Sequence, residues 1–370
     1  MHHRSKDIHL PATEVFSGRV LFIADASATH MLHWANVLAR HHVEITYLSF
    51  EPIRDNLFRG LHIVPKMKNH YLKFIINAPR IAKIIKALNP DIVHSYYLTN
   101  YGLLAALARP KKLVITVAGS DLFLEPKKSK LFRYLNRITL RRASIVHAVA
   151  HHMVPELEKY GVERNKLFIA AEGIDDQVFR PFTDDVSKRE NLITSTRNLS
   201  SIYDVETLIR AIPLVVKKQQ NIRFSIFGRG PERSKLEKLV QSFSVEKYVR
   251  FEGFAPWSDL AKRLRESLLY ISTSRSDGTS ASLFQAMQSG AIPVVTDIPA
   301  NREWVSDGEN GFLFPVGDAS ELANRILFCL DNKNLLKAAS EVNRNIIQEN
   351  GLDNKIIKKL LHKYQSIVCK

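Results

Sequence analysis

Residues 272–311 read STSRSDGTSASLFQAMQSGAIPVVTDIPANREWVSDGENG, and they carry the strongest local pattern of the chain. Asp277 opens a turn of small residues, and apolar residues at helical spacing follow it. The run 292–295 then has the composition of a buried strand, and a second turn carries the acidic Glu303. A small-residue turn between a strand and a helix start is how α/β proteins present backbone N–H groups to an anion. The stretch therefore predicts an α/β domain with an anion site after Asp277.

Outward from this stretch, strand-like apolar runs alternate with amphipathic helical runs along almost the whole chain. Such alternation is typical of parallel sheets with helices on both faces. The pattern breaks at 171–190, a polar segment without a period, which we interpret as an interdomain linker. The predicted fold is α/β, with two doubly wound Rossmann-like domains facing a cleft. The predicted boundaries are 1–175 for the first domain, 176–350 for the second, and 351–370 for a last helix that could pack back on the first.

Composition limits the class of protein. The 370 residues, 45% of them hydrophobic and 24% charged, suffice for two globular cores. Two cysteines make no disulfide framework, which favours a reducing compartment. The longest apolar run, 103–108, is far shorter than the roughly 20 residues of a spanning helix, and the N-terminus has no apolar signal core. These features predict a cytoplasmic protein.

The formal net charge of +16 gathers mainly in the first half of the chain. The segment 127–142 is predicted to be one basic helix that also carries apolar residues such as Leu131. It could be a solvated cationic face, or it could lie on an anionic membrane surface, where each basic residue contributes roughly 1 kcal/mol. A nucleic-acid partner is disfavoured because no recognition motif is present and interleaved aromatic residues are sparse.

Two candidate binding residues follow strands of the second half. Arg197 ends the first of these strands and suits bidentate contact with a phosphate, although it could instead pair on the surface with Asp204 or Glu206. Phe254 lies in a turn that could border a nucleobase or be a plain turn. The turn around Arg229, FGRGPE, lacks the full three-glycine pattern of a dinucleotide loop, so no hydride-transfer cofactor is predicted.

The first half offers three further candidates. Asp121 follows a buried strand and a small-residue turn, and it could accept a hydrogen bond from a substrate hydroxyl or cap the next element. His30 and His33 flank the start of the first helix and could orient a substrate or transfer a proton, with capping or packing as the alternative. No metal site is predicted, because the sequence has neither Asp-x-Asp nor a Cys–His ligand spacing.

Taken together, these residues resemble the family 4 glycosyltransferases, which have the two-domain GT-B architecture. The resemblance covers nearly the whole chain, from Val20 to about Leu330. It rests on the combination of several segments: TVAGSDLFL at 116–124, YDVETLIRAI at 203–212, FGRGPERSKLEKLV at 227–240, SRSDGTSASLFQAMQSGAIPVV at 274–295 and REWVSDGENGFLFPVGD at 302–318. It implies retaining transfer of a sugar from a nucleotide donor, without a metal or other cofactor.

The resemblance also assigns roles to residues of this chain. Asp277 stands at the first acid of the family's acid–seven residues–acid motif and would contact hydroxyls of the transferred sugar. Gln285 stands at the second, where the family usually has a Glu that holds the ribose, and Arg197 matches the diphosphate-binding Arg. The remaining residues it places around the donor are Gly119 at the donor–acceptor junction, Phe254 at the base, and Gly278, Thr279 and Ser280 at the sugar and diphosphate.

Three departures from the family pattern accompany these matches. Gln285 loses one charge-assisted hydrogen bond, Asp277 is one methylene shorter than the usual Glu, and Ile202 replaces a Lys that usually follows the Arg. Arg229 or Arg302 could compensate for the missing charge. The expected function is transfer of sugar from a UDP- or GDP-sugar to a glycan or lipid-linked acceptor in cell-surface polysaccharide or lipopolysaccharide synthesis, peripherally on the inner membrane face. The alternative is a weakly active or inactive GT-B scaffold protein.

Overall fold

The computed structural model of the protein describes residues 16–53, 58–65, 67 and 72–369. Within these ranges two parallel sheets follow one another along the chain, each covered by helices on both faces. The α/β fold with two doubly wound domains is therefore confirmed.

The first sheet has the strand order β3-β2-β1-β4-β5-β6-β7, with every neighbouring pair parallel. Its strands are β1 Arg19–Ile23, β2 Glu44–Ser49, β3 Arg59–His62, β4 Ile92–Tyr96, β5 Leu113–Val117, β6 Ile145–Ala148 and β7 Leu167–Ile169. Its helices are α1 Thr29–Arg40, α2 Leu72–Leu88, α3 Tyr101–Ala108, α4 Ser120–Phe123, α5 Glu125–Lys128, α6 Lys130–Arg142 and α7 Val154–Lys159. The strand order reverses between β1 and β4, and ligands of such sheets bind beyond the carboxyl ends of the strands at this point.

The second sheet repeats this plan with the order β10-β9-β8-β11-β12-β13. Its strands are β8 Leu192–Ser195, β9 Arg223–Phe227, β10 Val249–Gly253, β11 Leu269–Ser272, β12 Ile292–Thr296 and β13 Phe312–Phe314. The helices that follow the linker are α8 Val205–Val216, α9 Arg233–Ser242, α10 Trp257–Glu266, α11 Ala281–Gln288, α12 Pro299–Arg302, α13 Ala319–Asp331, α14 Lys333–Asn350 and α15 Asp353–Val368. The order reverses between β8 and β11, so the residues that follow these two strands share one edge.

The last helix, α15, lies on the first domain. Its buried face joins the core formed by β1, β2 and α1, with Tyr364 edge-on to Phe16. The Tyr364 hydroxyl also lies 2.5 Å from Nδ1 of the buried His94. The chain therefore crosses from the second domain back to the first before it ends.

The predicted basic helix over 127–142 is wrong in one respect. Ser129 is extended and separates α5 from α6, and its hydroxyl accepts a hydrogen bond from the N–H of Leu131 at 3.0 Å. Ser is a preferred N-cap residue, so its side chain starts a new helix at Lys130. In the described part of the chain, no helix combines the length and apolar character that crossing a bilayer requires.

Candidate functional site

The two domains meet where the loop after β5 touches the loop after β11. Gly119 has φ +116°, and a Cβ built on it would lie 2.8 Å from the backbone nitrogen of Gly278. A Cβ on Gly278 would in turn lie 2.3 Å from the carbonyl oxygen of Ala118. Both positions therefore need glycine for the loops to approach this closely. Beside this contact lies a cleft of about 780 Å³, lined by both domains.

Arg197 and Asp277 come together on the second-domain side of this cleft. Arg197 follows β8 and is 8% exposed, and its Nη2 donates to Oδ2 of Asp277 at 2.6 Å. Its Nη1 donates to Oγ of Ser280 at 2.6 Å, and its Cζ lies 4.2 Å from the ring centre of Tyr203. Burial disfavours the charge, but the Asp277 carboxylate raises the pKa of Arg197 above its usual range. A permanently charged guanidinium is thus fixed beside the turn predicted to bind an anion.

The surface pairing considered for Arg197 is wrong, because both proposed partners are engaged elsewhere. Asp204 forms an ion pair with Arg275 at 2.8 Å, and Glu206 forms one with Arg210 at 2.7 Å.

Helix α11 begins at this point. Oγ of Ser280 accepts a hydrogen bond from the N–H of Leu283 at 3.2 Å and so caps the helix. Oδ1 of Asp277 accepts from the N–H of Gly278 at 3.0 Å. The first turn of α11 has no acidic residue, so its N-terminal partial charge is directed to the cleft without an internal counter-charge.

Two further predicted residues flank this helix start. Thr279 lines the cleft, and its hydroxyl donates to the carbonyl of Val149 in the first domain at 2.6 Å. Thr279 therefore also joins the domains. Gln285 lies one turn further along α11, lines the cleft and is 6% exposed.

Phe254 follows β10 at the edge of the cleft, and Arg229 follows β9 next to it. Phe254 is 59% exposed and lines the cleft, and Cζ of Arg229 lies 5.3 Å from its ring centre. Arg229 is exposed and stacks on the ring rather than lining the cleft itself. The nearby Gly228 has φ +127°, and a Cβ there would lie 2.3 Å from the carbonyl oxygen of Arg197. The glycine turn thus packs directly against the backbone of Arg197. Arg302, the other residue considered as compensation, ends α12 and pairs with Asp297, which precedes that helix.

The Asp121 side chain binds the backbone of its own loop and does not line the cleft. It is 2% exposed, and its carboxylate accepts backbone hydrogen bonds from Leu98 at 3.1 Å, Ala118 at 3.2 Å and Gly119 at 2.9 Å. Burial raises the pKa of Asp121 to about 6, against the effect of these N–H groups. The geometry corresponds to the capping alternative: Asp121 fixes Gly119 in its unusual conformation.

His33 does not line the cleft either, although it contacts Trp257, which does. Its Nε2 is 2.7 Å from Oδ2 of Asp353 in α15, and its ring is edge-on to Trp257 at 4.8 Å. It therefore connects α1 with the last helix and with α10, and its catalytic role stays a prediction. His30, one turn earlier on α1, is the histidine that lines the cleft.

The sequence patterns left two acids without a role. Glu303 accepts hydrogen bonds from the backbone N–H groups of His151 and His152 at 2.9 and 2.6 Å and from Nδ1 of His152 at 2.7 Å. Burial works against its charge, but these contacts with His152 hold the pKa of Glu303 below its usual range. Glu172, inside the predicted linker, lines the first-domain side of the cleft. Neither position follows from local sequence, because each depends on a contact or a cleft between the domains.

Comparison with family models matches both halves of this arrangement. Residues 180–346 match the model described as glycosyl transferases group 1, and residues 19–150 match the model described as glycosyl transferase 4-like. The chain belongs to the family 4 glycosyltransferases. The resemblance seen in the sequence is therefore confirmed, and the enzyme class with it.

Relatives of this glycosyltransferase cover most of its length. It is 23% identical over 295 residues to the N-acetyl-alpha-D-glucosaminyl L-malate synthase of Bacillus anthracis, with 76% of each chain covered. It is 24% identical over 318 residues to an uncharacterized glycosyltransferase of Methanocaldococcus jannaschii, covering 84% of this chain and 87% of the relative.

Solved structures show the same fold at lower identity. A sucrose-phosphate synthase from Thermosynechococcus elongatus has a TM-score of 0.82 at 14% identity, covering 95% of this chain and 99% of that one. The Anabaena protein HepE, solved in complex with UDP, has a TM-score of 0.79 at 16% identity, covering 94% of this chain and 100% of that one.

Proposed function

We propose that this glycosyltransferase moves a sugar from a UDP- or GDP-sugar to a glycan or lipid-linked acceptor, with retention of configuration and without a metal ion. The observation that carries the proposal is the contact of Arg197 with Asp277 and Ser280 at the start of α11. HepE was solved with UDP and with UDP-glucose, which supports a nucleotide-sugar donor here as well.

The chemistry follows from where charge develops. Departure of a nucleoside diphosphate builds negative charge on the leaving oxygens, while the sugar passes through an oxocarbenium-like state. The guanidinium of Arg197 and the N–H groups at residues 278–280 are fixed donors that stabilise such charge without reorganisation. In this mechanism Asp277 holds Arg197 before the donor binds and contacts hydroxyls of the transferred sugar afterwards. The same donors would take over the neutralising role that a metal has in other transferases.

The acceptor side of the proposal concerns the basic helices of the first domain. Leu131 and Tyr134 on α6 are 60% and 62% exposed, and Ile75 and Ile76 on α2 are 40% and 41% exposed. Both helices pack against α3. Exposed basic side chains surround this apolar group: Lys127, Lys130, Arg133, Arg137 and Arg141. Apolar residues framed by cations fit an anionic lipid surface. We propose that the enzyme docks there on the inner face of the membrane, from the cytoplasm, to meet its acceptor.

A role in cell-surface polysaccharide synthesis is part of the proposal. A putative colanic acid biosynthesis glycosyltransferase of Escherichia coli, WcaL, is 25% identical over 193 residues, half of this chain. A membrane-docked enzyme with such a relative would extend a lipid-linked glycan.

The test compares nucleotide binding and donor hydrolysis in wild type and Arg197→Ala. Calorimetry with UDP and GDP should give a dissociation constant for one of them, and the variant should bind at least tenfold more weakly and lose roughly 100-fold or more in donor hydrolysis. Arg210→Ala is the matched control, because Arg210 is an exposed arginine on α8 that pairs with Glu206. Equal turnover of Arg197→Ala and wild type would refute the proposed site.

The second candidate, a scaffold with little or no catalysis, is favoured by one specific observation. Ile202, where the family has a Lys, lines the cleft and adds no charge there. A scaffold of this kind would bind UDP or GDP but show no hydrolysis or transfer with any of a panel of UDP- and GDP-sugars over several hours.

A further inference from the structure

Residues 149–152, which follow β6, contact the second domain at both ends of this short segment. At the first end, the carbonyl of Val149 accepts a hydrogen bond from the hydroxyl of Thr279 at 2.6 Å. A Cβ built on Gly278 would lie 2.8 Å from Cγ2 of Val149, so the turn after Asp277 packs directly on this residue. The position of segment 149–152 therefore determines where that turn meets the first domain.

Glu303, which directly follows α12, contacts the other end of the segment. Its carboxylate accepts hydrogen bonds from the backbone N–H groups of His151 at 2.9 Å and His152 at 2.6 Å. Its Oε1 also lies 2.7 Å from Nδ1 of His152, and the side chains of Glu303 and His152 are 16% and 14% exposed. Hydrogen bonds to an ionised carboxylate are roughly twice as strong as those between neutral groups. The second domain therefore holds segment 149–152 firmly at this end.

The N–H groups that Glu303 binds begin a helical segment, a 3-10 turn at 151–153 that leads into α7. The first N–H groups of a helix have no partner within it, and the side chain at the N-cap position commonly accepts one of them. That position is Ala150, whose side chain has no hydrogen-bond acceptor. Glu303 thus supplies, from the second domain, the cap that the first domain lacks, and the positive end of the helix favours its negative charge.

The ring of His152 extends this contact into the first domain. It lies parallel to the ring of Phe123, with the ring centres 5.5 Å apart. Phe123 ends α4, and Gly119, which packs on Gly278, is the residue at the start of that helix. Glu303 is therefore linked by direct contacts to both first-domain partners of the turn, Val149 and the Gly119 loop.

We propose that Glu303 is a positioning residue, which holds the two domains in the arrangement that brings the turn at 277–280 against Val149 and Gly119. Neither Glu303 nor His152 lines the cleft, so the acid acts through this arrangement and not on a bound donor. Without Glu303, the second domain would still bind a nucleotide through Arg197, but the domains would spend less time in the arrangement that completes the site. The effect on turnover rests on the proposed glycosyl transfer, whereas the effect on the domain arrangement does not.

The experiment compares the full chain with Glu303→Ala and with Asp297→Asn. Asp297→Asn is the matched control, because Asp297 also forms an ion pair beside α12, with Arg302, but within the second domain. Small-angle X-ray scattering without nucleotide measures the domain arrangement. Wild type and Asp297→Asn should fit the arrangement described here, and Glu303→Ala should have a larger radius of gyration.

Two solution measurements separate a positioning role from a general loss of structure. By calorimetry, Glu303→Ala should bind UDP or GDP within about threefold of wild type, because the groups around Arg197 belong to the second domain. Its kcat for donor hydrolysis should fall at least about tenfold, because the turn is no longer fixed against the first domain. Should Glu303→Ala fail to fold, Glu303→Gln, which keeps the shape and removes the charge, takes its place.

The two histidines provide a graded comparison. His151 has an exposed side chain and binds Glu303 through its backbone, so His151→Ala should match wild type in scattering and in kcat. His152→Ala removes one of the three hydrogen bonds and should lower kcat by about two- to fivefold.

Scattering of Glu303→Ala that equals that of wild type would overturn the proposal, as would equal kcat for Glu303→Ala and Asp297→Asn. A nucleotide affinity that falls as far as kcat does in Glu303→Ala would also overturn it, because the damage would then lie within the second domain. If wild type binds a nucleotide but hydrolyses no donor, the proposed transfer has failed instead, and the scattering alone tests the role of Glu303.

Discussion

The guanidinium of Arg197 lies almost entirely out of water between the Asp277 carboxylate and the ring of Tyr203. Burial of this ion pair costs free energy, because both charges give up their contacts with water. Its Nε is buried without a hydrogen-bond partner in the described part of the chain. In the proposed mechanism, this fixed cation needs no rearrangement to contact a phosphate of the donor.

Gln285 gives the sharpest prediction for a single side chain. If its amide faces the ribose of the donor, Gln285→Glu restores a charged acceptor for two hydroxyls and should tighten nucleotide binding about tenfold. Calorimetry with UDP and GDP measures the effect. Gln288→Glu, on the same helix but outside the cleft, provides the comparison. An affinity that stays the same in Gln285→Glu would mean that position 285 does not contact ribose.

At the scale of elements, local sequence predicted what depends on local contacts. The alternation of strands and helices and the turn after Asp277 both follow from neighbouring residues, and the structure contains each of them. The approach of Arg197 to Asp277, 80 residues away, required the family resemblance, because no periodicity encodes it. The pairing of His33 with Asp353 is 320 residues apart and was missed for the same reason. The break at Ser129 was a local signal that the basic charge pattern obscured.

Two serine caps offer a matched pair of helix variants. Ser280→Ala and Ser129→Ala each remove a side chain that accepts a hydrogen bond at a helix start, and each should lower the free energy of unfolding by about 0.5–2 kcal/mol. Ser280→Ala should additionally weaken nucleotide binding severalfold or more, because Arg197 loses a hydrogen-bond partner. Chemical denaturation and calorimetry give the two quantities. The same nucleotide affinity in both variants would contradict a donor site at the start of α11.

Helices α2 and α6 carry the prediction about membranes. The double variant Leu131→Ser, Tyr134→Ser should bind vesicles containing phosphatidylglycerol at least tenfold more weakly than wild type, because two exposed apolar side chains no longer enter the interface. Co-sedimentation with vesicles measures this. Leu335→Ser is the control, since Leu335 is 56% exposed on the second domain. Wild type should not bind pure phosphatidylcholine vesicles, and equal binding to both lipids would argue against the basic surface.

For the molecule as a whole, buried histidines link stability to pH. His147 is fully buried, with Nε2 donating to the carbonyl of Ala170 at 2.9 Å, and burial lowers its pKa to about 4. His94 lies in the same core, and burial lowers its pKa well below the usual value. The unfolded chain binds these protons from about pH 6.5 downward, whereas the folded one does so only at lower pH. Stability from this source is complete above about pH 6.5 and is lost as the pH falls toward 4.

The corresponding measurement is the free energy of unfolding between pH 7 and 4.5. For His147 alone, the difference between 6.5 and about 4 corresponds to about 3 kcal/mol at the acid end. Asp121 works in the opposite direction, because its raised pKa favours the folded state as the pH falls below about 6. Wild type and His147→Gln both contain Asp121, so its effect cancels when the two proteins are compared. His147→Gln should therefore show a shallower decline toward acid than wild type. Parallel curves for the two proteins would show that His147 does not titrate on unfolding.

The return of the chain in α15 has a mechanical consequence. The polypeptide passes between the domains twice, and the two passages are bonded to each other: the N–H of Ile174 donates to Gly351 at 2.9 Å, and the N–H of Asp353 donates to Ile174 at 3.2 Å. Two backbone segments that are hydrogen-bonded at one point allow the domains to rotate about that point, but they resist sliding or twisting of one domain against the other. Any opening of the cleft between the domains is therefore expected to be a rotation about this pivot.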